Sequence, residues 1–279
     1  MNAKRLLIAL AHPDDESFFA APLIATSVAQ GVEVTLICAT NGDVGSTDEK
    51  HLKGYSSVAE MRLAELDCAV NVLGFKEVVK WGYRDSGMIG TPDNDNPASF
   101  FQAPLDKVTE CVIDVIHRTC PQVIYTFDPY GVYGHPDHIK IHKATVAAFQ
   151  AVQSDPQPPQ KLYYGGNPYP KRLMRTFLIG MRVMGKDPRK QGRNADMDMQ
   201  AMYDAILPIH TRIDASAHVE TAWRSMACHA SQGGSEPKNA VARLMARQIT
   251  STANLTKVYP APKPGDPIER DIFAGVNLA

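Results

Sequence analysis

No apolar run in this 279-residue chain approaches the roughly 20 residues needed to cross a bilayer, so a membrane-spanning helix is not expected. A secretory leader is not expected either. The first apolar run is short, meets acidic residues at once and has no small-residue cleavage site. An excess of one charge is also missing. Lys and Arg number 29 against 30 Asp and Glu, and so balanced a chain sets up no overall field to recruit nucleic acid or an acidic membrane. Cysteine is scarce: Cys38, Cys68, Cys111, Cys120 and Cys228 are widely spaced, with no CxxC pair. That pattern predicts reduced, mostly buried thiols in a cytoplasmic protein and argues against a cysteine-built metal site. There is no internal repeat and no low-complexity tract. The length suits one large domain or two small ones.

Short, continuous apolar runs are present instead, at Leu6–Ala11, Val32–Ala39, about Glu77–Trp81 and Val123–Phe127. Continuous rather than alternating runs predict strands buried on both faces. Helical patterns lie between them: Phe18–Gln30, Ser57–Leu73 with Gly74 placed as a C-cap, and Leu105–Thr119. Strand alternating with helix predicts an α/β fold, a Rossmann-like parallel sheet sandwiched by helices. Residues 1–153 form the expected core, and 154–279 a smaller C-terminal α/β extension. The extension begins at the proline-rich 154–161 turn. Residues 171–193 carry eight basic residues and one acid, with Leu173, Met174, Phe177, Leu178 and Met181 on one helical face. That segment reads as a helix packed on the core with a solvated basic rim, or as a lid or anion-facing surface. Residues 197–230 again read as helical, and 261–279 as a tail wrapping the surface.

Each predicted strand runs into polar residues at its C-terminal end, where open parallel sheets bind ligands. The first meets His12-Pro13-Asp14-Asp15-Glu16, and the fourth leads to Tyr133-Gly134-His135-Pro136-Asp137-His138. His12, Asp15 and His138 make a three-ligand N/O set, the kind with which catalytic zinc keeps a fourth position open. Adjacent acids cannot point the same way in an extended loop, so Asp14 can face the open position while Asp15 holds metal. His135 can face the same site as His138, and His142 is a further candidate ligand. Zn2+ or Fe2+ suits such ligands better than Mg2+. Asp137 orients an imidazole or caps a helix. Ser17 and Ser86 have no base placed beside them as in a hydrolase triad, so serine nucleophile chemistry is not expected.

AHPDDE at 11–16 together with GHPDH at 134–138 resembles the PIG-L/LmbE family of metal-dependent N-acetylglucosaminyl deacetylases. Arg62, Glu65, Leu66, Ala69, Leu73 and Gly74 resemble that family's Arg-x-x-Glu-Leu helix. RDSGM at 84–88 resembles the branch acting on glucosaminyl-inositol and mycothiol-type conjugates, and HASQ at 229–232 a C-terminal element reaching back to the site. The resemblance implies His12, Asp15 and His138 as metal ligands and Asp14 as general base. It implies His135 as a charged partner of the reaction intermediate. Arg62, Asp85, Tyr133, His229 and Gln232 become substrate-binding candidates. Arg62 can alternatively pair with Glu65, Arg84 with Asp85, and His229 can be a core histidine. Either Asp14 or His135 can protonate the leaving amine.

The implied activity is hydrolysis of an acetyl or related acyl group from a small amino-sugar conjugate by a zinc-activated water. A homo-oligomer is compatible with it. The nearest rival is an amidase cleaving mycothiol-type S-conjugates. A more remote one is a non-enzymatic sugar- or nucleotide-binding module, disfavoured because HPDDE stands where such modules need G-x-G-x-x-G.

Overall fold

Leu6, Leu7, Ile8, Ala9 and Leu10 point alternately to opposite faces of an extended chain, yet all five are buried. A strand buried on both sides needs cover on both sides. The computed structural model, which describes residues 3–166, 171–192, 195 and 197–278, supplies that cover with helices. In chain order the elements are β1 (Arg5–Leu10), α1 (Asp15–Phe18), α2 (Ala21–Ala29), β2 (Glu33–Thr40), α3 (Glu49–Leu52), α4 (Val58–Leu73), β3 (Glu77–Tyr83), α5 (Leu105–Thr119), β4 (Val123–Phe127), α6 (Gly131–Gly134), α7 (Pro136–Ala151), β5 (Lys161–Gly165), α8 (Lys171–Val183), α9 (Met199–Asp204), β6 (Thr211–Asp214), α10 (Val219–Cys228), α11 (Ala240–Thr250) and β7 (Thr252–Tyr259).

Among the described residues the strands form one sheet in the order β3-β2-β1-β4-β5-β7-β6. The first five are parallel, β7 pairs antiparallel with β5, and β6 pairs antiparallel with β7. This is the Rossmann-like α/β layout predicted from the sequence, with the C-terminal strands added to the same sheet. The chain leaves β1 for β2 and β3 on one side, then returns to the other side of β1 as β4. The loops after β1 and β4 therefore lie side by side, at the switch point where such sheets bind ligands.

Local chemistry sets the helix that backs this point. The Ser57 side chain accepts the Glu60 N–H at 3.1 Å, and the Glu60 carboxylate accepts the Ser56 N–H. Such a cap is worth about 1 kcal/mol. Gly74, at φ 76°, closes α4 in the left-handed region.

Four expectations are corrected. The helix predicted over 18–30 is broken at Phe19-Ala20, separating α1 from α2. The stretch 197–230 is not all helical: it contains β6, in which Thr211 and Ile213 are buried while Arg212 and Asp214 are exposed. Four residues of period two are too few to stand out between helical patterns. In α8 the expected single apolar face divides, with Met174, Leu178 and Met181 buried and Leu173 and Phe177 exposed. Arg193, the end of that basic segment, lies outside the described residues. The cysteines are not all thiols. Cys68 on α4 and Cys228 at the end of α10 form a disulfide across 160 residues, because α10 packs along α4. Cys38, Cys111 and Cys120 are free.

Candidate metal centre

The loop after β1 turns sharply at Asp14, which has φ 125°. Positive φ is uncommon outside glycine and costs on the order of 1–3 kcal/mol. The loop after β4 has its own such residue, Val132 at φ 65°. Beside it Gly131 has φ 68°, and a Cβ there would meet His138 Cβ at 2.9 Å. Glycine therefore lets the loop pass tightly against the start of α7.

Two imidazole nitrogens and the carboxylate of Asp15 converge between the two loops. His12 Nδ1 lies 3.1 Å from His138 Nε2 and 3.6 Å from Asp15 Oδ2. His138 Nε2 lies 3.2 Å from Asp15 Oδ1. A tetrahedral zinc site with bonds of about 2.0–2.1 Å has ligand–ligand edges of about 3.3 Å. The outward faces of both rings are occupied by acceptors. His138 Nδ1 faces the Gly131 carbonyl at 3.2 Å. His12 Nε2 faces Asp137 Oδ2 at 3.2 Å and Asp85 Oδ1 at 3.5 Å. With protons on those outward nitrogens, both imidazoles aim lone pairs at Asp15. Lone pairs that converge without protons fit a cation, so the donor set suits a divalent metal.

The surrounding charge has the same preference. Burial opposes a charged His12, but Asp85 and the hydrogen bonds to Asp137 and Asp15 outweigh it and raise its pKa well above the ordinary value. Burial likewise works against an ionised Asp15, yet His138 and His12 hold its carboxyl well below the usual range. A cation can replace the proton that this much negative charge attracts.

Asp14 makes none of these contacts. Its Oδ2 meets the Arg62 guanidinium at 2.8 Å. Burial lifts its carboxyl to about 6, with Arg62 opposing the rise and Asp15 adding to it. Arg62 is buried. It donates to the Pro13 carbonyl and, at 3.1 Å, to the Gly42 carbonyl. It is not paired with Glu65, which instead accepts the N–H and hydroxyl of Ser231 at 2.8 and 2.7 Å. Arg84 pairs with Asp43 and Asp93, not with its neighbour Asp85. Asp85 lies between His12 and His135, 3.8 Å from His135 Nε2.

His135 is the N-cap of α7, and its Nδ1 accepts the Asp137 N–H at 3.2 Å. Burial, His12 and His138 together push its pKa well below the ordinary value, so the ring is neutral with its proton on Nε2. The donor atoms of His12, His135 and His138 lie within 4.8 Å of one another. Asp137 is fully buried and is not the cap. It accepts from the Ser86 N–H at 3.0 Å, from the Ser86 hydroxyl and from His12. Tyr133 closes the wall with its ring 5.0 Å from His138. His142 points elsewhere, its Nδ1 on the Phe127 carbonyl at 2.8 Å.

His229 is fully buried, and its Nε2 lies 2.6 Å from Glu16 Oε1. Gln232 donates to the neighbouring Ser231 hydroxyl. Sequence reasoning gave Glu16 and Ser86 no site role. Glu16 is the third acid of HPDDE, and nothing local to that motif reveals a partner 213 residues away.

The PIG-L model, described as GlcNAc-PI de-N-acetylase, matches residues 7–149, which hold both loops. The chain belongs to the PIG-L family. It is 33% identical, over 98% of its length and 100% of the relative's, to a 1D-myo-inositol 2-acetamido-2-deoxy-alpha-D-glucopyranoside deacetylase of Thermobifida fusca. Two solved structures share the fold at low identity. The N,N'-diacetylchitobiose deacetylase of Pyrococcus horikoshii has a TM-score of 0.58 at 16% identity, covering 92% of this chain and 84% of that one. The 4-carboxy-2-hydroxymuconate hydratase of Pseudomonas putida has a TM-score of 0.59 at 17% identity, covering 94% and 99%. A hydratase on the same fold shows that function must be argued from the site. Within this family the chain is a hydrolytic N-deacetylase, and no helix among its described residues is long and apolar enough to cross a membrane.

Proposed function

We propose that this protein removes the N-acetyl group from a glucosaminyl-inositol conjugate, with zinc held by His12, Asp15 and His138. The observation that carries the reading is the pair of imidazole nitrogens of His12 and His138, 3.1 Å apart, with the two oxygens of the Asp15 carboxylate 3.6 and 3.2 Å from them. The substrate class rests on the full-length similarity to an enzyme named for that sugar. When bound, a divalent ion supplies Lewis-acid chemistry, lowering the pKa of a water and polarising an acyl oxygen.

The remaining work falls to side chains. Asp14 accepts the proton of the attacking water, and a carboxyl lifted to about 6 is suited to taking and returning a proton near neutral pH. Arg62 fixes that carboxylate from behind. His135 donates from Nε2 to the acyl oxygen as negative charge gathers there. It does so as a neutral ring, because its Nδ1 already accepts the Asp137 N–H. A neutral imidazole that gives up its one proton becomes an anion, so the proton delivered to the departing amine comes from Asp14. Asp85 and Asp137 hold the His12 ring in orientation.

The test is metal analysis together with acetate released from a panel of N-acetylated glucosaminides, including the inositol conjugate. Turnover should stop with a chelator and return with Zn2+ or Fe2+, the better of the two naming the metal. Preference for an S-conjugate of the same scaffold would reassign the protein as an amidase. No acetate from any member, with metal bound, would refute the reading.

A further inference from the structure

The base candidate Asp14 sits in a backbone conformation it would not adopt unaided, at φ 125° and ψ −26°. Two groups hold it there. Arg62 takes its carboxylate, and Glu16 Oε2 accepts its backbone N–H at 3.0 Å. The other oxygen of Glu16 accepts from the Ser17 hydroxyl at 2.6 Å and meets His229 Nε2 at 2.6 Å. Glu16 and His229 are both buried, and His229 Nδ1 has no hydrogen-bond partner. All the polar bonding of that ring therefore goes to Glu16.

The segment carrying His229 is itself fastened at two points to one face of α4. Cys228 is bonded to Cys68, and Ser231 is gripped by Glu65. Arg62, Glu65 and Cys68 follow one another at three-residue spacing, so the helix that holds the Asp14 carboxylate also anchors the segment that reaches Glu16. We propose that Glu16 and His229 form a positioning clamp: His229, delivered by the C-terminal segment, fixes the Glu16 carboxylate so that it captures the Asp14 amide and holds Asp14 in its positive-φ conformation. His229 then acts through Glu16 and Asp14 rather than by touching substrate. The kinetic part rests on the reading of Asp14 as the base; the structural part does not.

The experiment compares His229→Leu, His229→Gln, Glu16→Ala and the double variant His229→Leu/Glu16→Ala with the wild type. Gln retains an N–H that can reach Glu16. In His229→Leu, kcat should fall roughly 10- to 100-fold, as expected for a misplaced base. KM should stay within about twofold and bound metal should be unchanged. His229→Gln should recover most of the loss. The double variant should be no worse than Glu16→Ala, as for residues acting through one bond. Amide hydrogen exchange of the 12–19 segment gives a readout independent of turnover, and the Asp14 amide should exchange faster in His229→Leu.

A raised KM with unchanged kcat would make His229 a substrate contact and overturn the clamp. So would equal losses in the Leu and Gln variants, or unchanged exchange at Asp14. If the wild type releases no acetate, the proposed function fails while the exchange comparison still judges the clamp. If His229→Leu does not fold, His229→Gln against Glu16→Ala decides: similar exchange at Asp14 in the two would overturn it.

Discussion

Two polar clusters lie on this one sheet, and they are built on different principles. Around Glu269 the charges close on themselves. Its carboxylate accepts from Lys161 at 2.6 Å, Lys257 at 3.2 Å, Tyr163 at 2.5 Å and Thr211 at 2.9 Å. Those partners come from β5, β6 and β7, so the cluster ties the added strands to the tail. At the rim between β1 and β4, Asp14, Asp15, Asp85 and Asp137 face one guanidinium and three imidazoles, two of whose lone pairs point at a carboxylate oxygen. A cluster whose one carboxylate is saturated by fixed donors contributes architecture. One whose carboxylates outnumber its fixed cations suits a divalent ion, and that contrast separates scaffold from site more sharply than burial does.

The contrast breaks most visibly when a donor is deleted. His138→Ala should lose bound metal and lower turnover by more than about 10³-fold, since it removes the activation of water itself. Added zinc should raise the wild-type unfolding temperature, by about 2.7 kcal/mol of stability at a hundredfold excess over Kd, and leave His138→Ala unmoved. Asp14→Asn should keep its metal and still lose roughly 10²- to 10⁴-fold in kcat. Full activity in that variant, measured as acetate release, would remove Asp14 from the reaction.

Glu269→Ala is the counterpart. It leaves two lysines and two hydroxyls without their acceptor, so it should cost about 2–3 kcal/mol in urea unfolding. Metal content and kcat should stay within twofold of wild type. A large loss of activity at unchanged stability would mean that the two clusters are coupled.

Much of the rim was legible because its signals are local. Fully buried parallel strands write themselves as unbroken apolar runs, and Val123–Phe127 is found where the sequence places it. The strand ends then locate both His-Pro-Asp loops. The remainder was hidden because its partners are distant. Arg62 has Glu65 three residues along its helix, yet the guanidinium bonds to Asp14 and the Gly42 carbonyl, which reach it only through the fold. Cys68 and Cys228 show no pairing pattern until α10 lies against α4. In β6 the alternation is too short to read, and half the partners of Glu269 come from strands that begin beyond residue 200.

The smallest expected effect is a difference of sign. In metal-free protein Asp14 has a folded pKa of about 6, raised by burial, whereas Lys161, Tyr163 and Thr211 hold Glu269 below the usual carboxyl value against the effect of its burial. Between the unfolded carboxyl value of about 4 and pH 6, the folded state binds more protons at Asp14 than the unfolded state does. The contribution of Asp14 to stability therefore falls as pH rises through that window. For Glu269 the unfolded state binds more protons just below about pH 4.3. Its contribution is complete above that value and is lost as pH falls through the depressed folded pKa. Urea unfolding of chelated protein from pH 3 to 7 measures both, against Asp14→Asn and Glu269→Gln. Neither slope can exceed about 1.4 kcal/mol per pH unit, since one proton is involved in each. Losing the partner of Arg62 shifts the Asp14→Asn curve by a constant and leaves its slope readable. Relative to wild type, Asp14→Asn should lose a negative contribution to the slope between pH 4 and 6 and Glu269→Gln a positive one below pH 4.3, while the contributions of His135 and Asp15 remain in both curves. If the slope between pH 4 and 6 is the same in Asp14→Asn as in wild type, burial does not raise that carboxyl, and its suitability for exchanging protons near neutrality falls with it.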